Sequence, residues 1–145
     1  MRLYFRTVVR WTGEPAALEG QRVRFHLPRD AAPEPLLPAA LPVVRWLRLP
    51  ERLPWSGQDG AGGSVSEPRQ HRIGAEPWMA CAVRDRDGLE RAAAHGADFV
   101  VLPALPDDRL AELCRETPIP VYVADPGGAD ALVRLQRLGA HGLAV

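Results

Sequence analysis

The sequence contains no lysine and no asparagine, and all 18 of its basic residues are arginines. Without lysine, Schiff-base catalysis and the phosphate-binding lysine of P-loop nucleotide hydrolases are excluded. Without asparagine, the chain cannot use that side chain to read a base edge. Acidic residues also number 18, so the formal net charge is zero and overall charge favours no class of partner.

Cysteine is scarce, and long hydrophobic runs are absent. Cys81 and Cys114 match no zinc or redox spacing, and each lies within an apolar pattern, so we expect reduced, buried thiols. No apolar run approaches the roughly 20 residues of a membrane span, and no signal-peptide pattern is present. We therefore expect a cytoplasmic protein without a membrane partner.

Arginine is concentrated in the first third of the chain. Residues 1–53 hold nine arginines against five acidic residues, whereas residues 78–145 hold seven against ten. Proteins that bind nucleic acid usually show a clustered basic face, and the aromatic residues here are explained more simply by strands and packing. We therefore expect no nucleic-acid partner.

The last 68 residues repeat one pattern four times: a short apolar run, a loop and a helix-like stretch. The four apolar runs are Met79–Val83, Phe99–Leu102, Val121–Val123 and Leu143–Val145. Their spacing predicts parallel strands joined by crossover helices, because a parallel pair needs about a dozen or more connecting residues. Eight such units make a (βα) barrel, so the pattern indicates half of one.

Three helices are predicted between these strands. Asp85 or Asp87 can cap the first helix, which Gly96 ends. The second spans Asp107–Glu116, and the third follows Asp130 and ends at Gly139. The apolar residues expected to face the sheet are Leu89, Ala92, Ala93, Leu110, Leu113, Cys114, Leu132, Leu135 and Leu138.

The amino-terminal part has a different periodicity. Leu3–Val9 and the alternating segment Gln21–Leu27 predict strands, the second half-buried and antiparallel. Leu41–Leu47 predicts a short helix with an apolar face of Val43, Val44 and Leu47. The Gly/Ser-rich stretch Ser56–Ser66, continuing to about Glu76, predicts a linker. We therefore divide the chain into residues 1–53, a linker 54–77, and residues 78–145.

Three motifs in the last part resemble the thiamine phosphate synthases and their TenI relatives. They are residues 94–103 (Ala-His-Gly-Ala-Asp-Phe-Val-Val-Leu-Pro), 118–123 (Pro-Ile-Pro-Val-Tyr-Val) and 139–145 (Gly-Ala-His-Gly-Leu-Ala-Val). The resemblance implies a TIM-type barrel whose loops bind phosphate. Two family glycines that help hold phosphate correspond here to Asp125 and Pro126, and the metal-binding first half of the barrel has no counterpart.

Gly127 and Gly128 are the candidate phosphate-binding residues. They follow the third apolar run, where a barrel binds phosphate through backbone N–H groups. However, Asp125 repels phosphate and Pro126 lacks an N–H. The alternative is a Gly-Gly turn leading into the helix capped by Asp130.

A second resemblance covers residues 3–50, which are similar to the C-terminal half of MutT-type Nudix hydrolases. The motifs are residues 9–15 (Val-Arg-Trp-Thr-Gly-Glu-Pro), 19–21 (Glu-Gly-Gln) and 37–47. Glu19 matches a family glutamate of the divalent-metal site, which implies Mg²⁺ as a cofactor. The alternative is a plain loop carboxylate, since the Nudix box is absent and Ala40 replaces the asparagine that reads the base.

Together the two series resemble a truncated or degenerate MutT–TenI fusion protein. We expect an α/β fold, with the C-terminal half of a (βα) TIM-type barrel preceded by a small antiparallel-β Nudix-like remnant. We expect an inactive or vestigial member that at most binds a phosphorylated small molecule, and we assign no catalytic residue. The alternative is a residual Mg²⁺-dependent 8-oxo-dGTP-type diphosphohydrolase or a thiamine-phosphate-related enzyme. In that alternative, a homo-oligomer of the chain would complete the active site, and exposed apolar sheet edges would favour such self-association.

Overall fold

The computed structural model describes residues 8, 10–17, 20, 22–30, 34–56, 67–115, 117–124, 127 and 130–145. Within these residues the protein is mixed α/β, with one curled six-stranded sheet and four α-helices. The strands are β1 (Arg52–Leu53), β2 (Arg69–Ile73), β3 (Glu76–Ala82), β4 (Phe99–Pro103), β5 (Val121–Ala124) and β6 (Gly142–Ala144). The helices are α1 (Leu41–Trp46), α2 (Arg86–Ala94), α3 (Asp107–Cys114) and α4 (Ala131–Arg137). No helix in this described part is long and apolar enough to cross a membrane.

The four predicted strands and the helices between them are confirmed. The sheet order is β1-β6-β5-β4-β3-β2, and neighbouring strands from β3 to β6 are parallel. Helix α2 begins as predicted, because the Asp85 side chain accepts a hydrogen bond from the Gly88 amide at 2.7 Å. Gly96 and Gly139 follow α2 and α4 with positive φ angles of 81° and 97°, which glycine adopts without steric cost.

The sheet buries both of its faces. The face toward α2, α3 and α4 packs Val100, Leu102 and Leu143 against helix residues such as Leu89 and Leu110. The concave face carries a second cluster, and its buried members are Leu49, Leu53, Trp78, Ala80, Phe99, Val101, Tyr122 and Ala144. Parallel strands are usually covered on both faces, so something other than the three crossover helices must cover the concave side.

Helix α1 covers part of that concave face. Its bounds agree with the short helix predicted over Leu41–Leu47. Leu47 was expected to be on its apolar face but is 58% exposed, and Trp46 contacts both core clusters instead. Arg45 fixes α1 to the sheet: its Nη1 donates to Asp98 Oδ1 at 2.8 Å and its Nη2 to the Pro77 carbonyl at 2.7 Å. The same guanidinium lies 4.4 Å from the centre of the Trp78 ring.

Leu49–Trp55, which we call the strap, closes one edge of the sheet. Its strand β1 pairs in parallel with β6. The amides of Leu143 and Val145 donate to the carbonyls of Glu51 and Leu53 at 2.8 and 2.9 Å, and the Trp55 amide donates to the Val145 carbonyl at 2.6 Å.

The other edge strand lies inside the segment predicted as linker. Residues 54–77 include β2, which pairs antiparallel with β3 through a two-residue turn at Gly74 and Ala75. Gly74 has a φ of 61°, which such tight hairpins require. The linker prediction is therefore wrong over Arg69–Ile73. This strand has only one apolar residue, so its hydrophobic pattern does not reveal it, and pairing with β3 stabilises it instead.

The predicted strand Gln21–Leu27 is also wrong where the structure describes it. Arg22–Leu27 forms no strand, and Val23, Phe25 and Leu27 are 48%, 75% and 53% exposed. Alternation predicts a half-buried strand only if a neighbouring strand accepts its hydrogen bonds. The other predicted strand, Leu3–Val9, lies outside the described residues except for Val8.

We expect Gly142→Ala to destabilise the protein by about 2–3 kcal/mol, because an added Cβ would overpack the strap contact. That Cβ would lie 2.9 Å from both the Glu51 carbonyl carbon and Tyr122 Cε1, and closer still to the Glu51 oxygen. The measurement is urea unfolding followed by circular dichroism.

Gly96→Ala is the matched control for the glycine-to-alanine change. Its φ of 81° is unfavourable for alanine, but no atom lies within 4 Å of the added Cβ, so only about 1 kcal/mol of backbone strain is expected. Equal losses in the two variants would contradict the close approach of the strap to β6.

Candidate functional site at the carboxyl edge of the sheet

The concave face changes from large to small side chains along the strands. Trp78, Phe99 and Tyr122 lie toward the amino ends of β3, β4 and β5 and are almost fully buried. The residues nearer the carboxyl ends of the strands are smaller, and three of them, Ala82, Pro103 and Ala124, are partly exposed. Parallel α/β sheets bind ligands outside the carboxyl ends of their strands. This carboxyl edge is therefore the candidate site.

Aromatic residues from the two outermost strands meet over the concave face. The ring of Trp55, just after β1, stacks on the ring of His71 in β2, with centroids 4.5 Å apart and planes inclined by 28°. β1 and β2 are the two edge strands of the sheet, so their side chains can meet only because the sheet is strongly curled. Arg69 is in register with Ala80, and directly opposed residues of an antiparallel pair share a face, so its side chain belongs to the same surface.

Charged side chains at the starts of α2 and α3 make structural contacts. Asp85 caps α2, as described above. Asp107, in the first turn of α3, forms an ion pair with Arg134 of α4. Arg86 donates to the main-chain carbonyls of Glu112 and Arg115 at 2.5 and 3.1 Å, which joins α2 to the end of α3.

Of the predicted phosphate-binding residues, Gly127 lies in the loop between β5 and α4 and is exposed. This loop follows the carboxyl end of β5, so Gly127 is at the carboxyl edge, where the sequence placed it. Arg134 occupies the helix that follows the same loop. Gly128, Asp125, Pro126 and the candidate metal ligand Glu19 lie outside the described residues. Among the described residues, no group of three or more His, Cys, Asp or Glu side chains is arranged to hold a metal ion.

Sequence reasoning missed Trp55, His71 and Arg69. Their segments were assigned to the linker, because Pro50 and Pro54 marked a break and Arg69–Ile73 is mostly polar. One sequence feature could have indicated a strand at residues 49–55. Leu49, Leu53 and Trp55 are separated by four and two residues, which agrees with the two-residue period of a strand.

Comparisons with protein-family models, curated proteins and solved structures found no match to this chain.

Burial shifts the titration of several groups in the core toward their neutral forms. Both cysteines are free and buried, and burial raises the pKa of each thiol to about 11, with Arg86 partly opposing the shift at Cys114. Burial also raises the pKa of Tyr122, whose hydroxyl donates to the Pro50 carbonyl at 2.5 Å. Burial lowers the pKa of His141, while a hydrogen bond to Leu49 and the nearby Glu51 carboxylate oppose that shift.

We expect both thiols to react slowly with a disulfide reagent in the native protein at pH 8. A pKa of about 11 in place of 9.0 reduces the thiolate fraction about a hundredfold, and only the thiolate attacks. Absorbance at 412 nm with 5,5′-dithiobis(2-nitrobenzoate) measures the rate. The urea-unfolded chain is the control and should release two equivalents at once. A native rate near that of free cysteine would be inconsistent with the buried thiols.

We expect His141 to make folding less favourable in mild acid. Because its folded pKa is lowered, the unfolded state binds more protons below pH 6.5, so stability is present above that pH and is lost as the pH falls toward the folded pKa. His141→Gln keeps a donor for the Leu49 carbonyl but does not titrate. Urea unfolding at pH 7.5 and pH 5 should show a smaller acid loss for the variant. Identical pH profiles would contradict the lowered pKa.

Proposed function

We propose that this chain is a vestigial, non-catalytic relative of the MutT–TenI fusion proteins, which retains binding of a phosphorylated small molecule at the carboxyl edge. The observation that carries the proposal is the arrangement of the βα units. Four parallel strands joined by α2, α3 and α4 bring Gly127 and the Arg134–Asp107 pair to one edge of one sheet.

The carboxyl edge offers two kinds of hydrogen-bond donor to a phosphate. Backbone N–H groups of a glycine-bearing loop can approach an anion closely, because glycine has no Cβ. A guanidinium adds a charge-assisted hydrogen bond, and Arg134, in the last turn of the helix that this loop enters, reaches Asp107 at the start of α3. Asp107 competes for that guanidinium, so the expected affinity is weak.

The proposal that the chain is not a catalyst rests on the roles of its acids. Two of the four acids at the starts of α2 and α3, Asp85 and Asp107, are engaged by a backbone amide and by Arg134. In the two resemblances, Ala40 replaces the asparagine that reads the base, and Asp125 and Pro126 replace glycines that help hold phosphate. We therefore expect no Mg²⁺-dependent release of phosphate from 8-oxo-dGTP.

Charge variants of the ion pair should change the binding of phosphate in opposite directions. Asp107→Asn removes the competing carboxylate and should tighten the binding of inorganic phosphate, thiazole phosphate or thiamine phosphate about three- to tenfold. Arg134→Gln should weaken it by at least as much. Isothermal titration calorimetry at low salt measures both, since surface charge interactions are screened by salt.

Arg91→Gln is the matched control, because Arg91 is an exposed arginine in the last turn of α2, at the opposite edge of the sheet. It should leave phosphate binding unchanged. Heats no larger than buffer dilution for the wild type and for Asp107→Asn would remove the proposal. Equal effects of Arg91→Gln and Arg134→Gln would show that any binding depends on overall charge rather than on the carboxyl edge.

A further inference from the structure

Two aromatic side chains of the amino-terminal part contact each other on the protein surface. Trp11 and Phe25 are 62% and 75% exposed, and both lie outside the strands of the sheet. Their ring centroids are 6.3 Å apart, and the ring planes are inclined by 17°. Neither ring belongs to a core cluster. Exposed apolar residues that cluster, unlike single ones, indicate a surface that binds another molecule.

Arginines flank this ring pair in the sequence. Arg10 precedes Trp11, Arg24 precedes Phe25, and Arg22 lies two residues before Arg24. All three arginines are exposed, and none of them forms an ion pair with a residue that the structure describes. Residues 20–29 contain no acidic residue. We call Arg10, Trp11, Arg22, Arg24 and Phe25 the arginine–aromatic surface, and its charge suits an anionic partner.

A turn attaches this surface to the rest of the protein. The turn Leu27–Asp30 follows Phe25 closely, and the Asp30 carboxylate accepts a hydrogen bond from the Leu27 amide at 3.2 Å. Arg48 Nε donates to the Pro28 carbonyl at 3.0 Å, and its Nη2 donates to the Asp30 carbonyl at 3.3 Å. The same guanidinium pairs with the first residue of β3. The surface is therefore connected to the amino end of β3 rather than to the carboxyl edge.

The chemistry of these side chains matches that of an unpaired nucleic-acid strand. Trp11 and Phe25 are explained neither by a strand nor by packing, so the reason for expecting no nucleic-acid partner does not apply to them. Aromatic rings bind unpaired bases by stacking, and guanidinium groups bind phosphates. A duplex keeps its bases stacked inside, so its bases cannot stack on an exposed ring in the same way.

The relative orientation of the rings favours a nucleic acid over an anionic membrane. Successive bases of a strand stack nearly parallel, and the two ring planes are close to parallel as well. Lipid head groups also attract arginine and aromatic side chains, but they impose no such angle. Stacking uses the π-face that every base has, so little preference for sequence is expected.

We propose that the arginine–aromatic surface binds single-stranded nucleic acid. Bases stack on the rings of Trp11 and Phe25, and the guanidinium groups of the three arginines bind the neighbouring phosphates. This surface is separate from the phosphate site at the carboxyl edge, and binding here does not depend on that site.

Fluorescence anisotropy of labelled oligo-dT and oligo-U, each of about 12 nucleotides, measures binding to the full chain at low salt. A DNA duplex of the same length should bind at least tenfold more weakly than the single strands. Trp11→Ala and Phe25→Ala should each weaken binding of the single strands about tenfold, because each removes a stacking platform. Leu37→Ala, which shortens another exposed apolar side chain, is the matched control and should bind like the wild type.

The salt dependence of binding tests the arginines. Arg22→Gln and Arg24→Gln should each reduce the slope of log Kd against log salt concentration by about 0.7, the value for one phosphate contact on a single strand. Arg91→Gln, an exposed arginine of α2, should leave the slope unchanged. All the altered side chains are exposed, so circular dichroism and urea unfolding should match the wild type.

Trp11→Phe separates stacking from attraction by charge. This variant should still bind the strands, but the quenching of tryptophan fluorescence by the bound bases should largely disappear. Whichever of oligo-dT and oligo-U binds more tightly identifies DNA or RNA as the partner. Absence of binding to both, equal binding of the duplex, or equal losses in Phe25→Ala and Leu37→Ala would overturn the proposal. Binding to anionic phospholipid vesicles without binding to either strand would overturn it in favour of a membrane.

Discussion

The contact between the strap and β6 is the constraint on which the rest of this fold depends. A sheet of parallel strands has two apolar faces, and three crossover helices cover only one of them. The concave face is closed because Leu49 and Leu53 reach the cluster around Trp78 and Tyr122. The two leucines can reach this cluster only because Gly142 has no Cβ, which would collide with the Glu51 carbonyl. One glycine thus connects the pairing of the edge strand with the burial of the second face.

The side chains of the concave face favour a curled sheet, and this curl determines which end of the sheet is exposed. Large rings at the amino end of the concave face and small residues at the carboxyl end give the face a taper. The Trp55–His71 stack then joins the outermost strands. A complete barrel would reach this closure with further strands, whereas here two side chains span the gap. The carboxyl edge therefore remains the accessible end of the concave face, where Ala82, Pro103 and Ala124 are partly exposed.

The sequence predicted those parts of the fold whose signal is local. Buried parallel strands read as continuous apolar runs, and α2 is marked by the Asp85 cap and Gly96, so β3 to β6 and their helices could be located. β1 could not, because its two residues lie between prolines and its partner Leu143 is far along the chain. The prediction for Arg22–Leu27 failed for the opposite reason, since this segment has the alternation of a strand but pairs with no strand among the described residues. For the candidate site, the position of Gly127 after β5 could be predicted from the sequence, but the Trp55–His71 contact depends on the curl of the sheet.

The prolines of the strap also bear on whether two copies of the chain would pair. A half-barrel with open edges would be expected to associate through them. Here Pro54, which directly follows β1, has no N–H to offer a further strand, and β2 at the other edge carries Arg69 and Arg72. Two such edges facing each other would place arginines together without a regular set of hydrogen bonds. Association through these edges is therefore disfavoured, and a catalytic site assembled by joining two half-barrels edge to edge would need the strap to be displaced first.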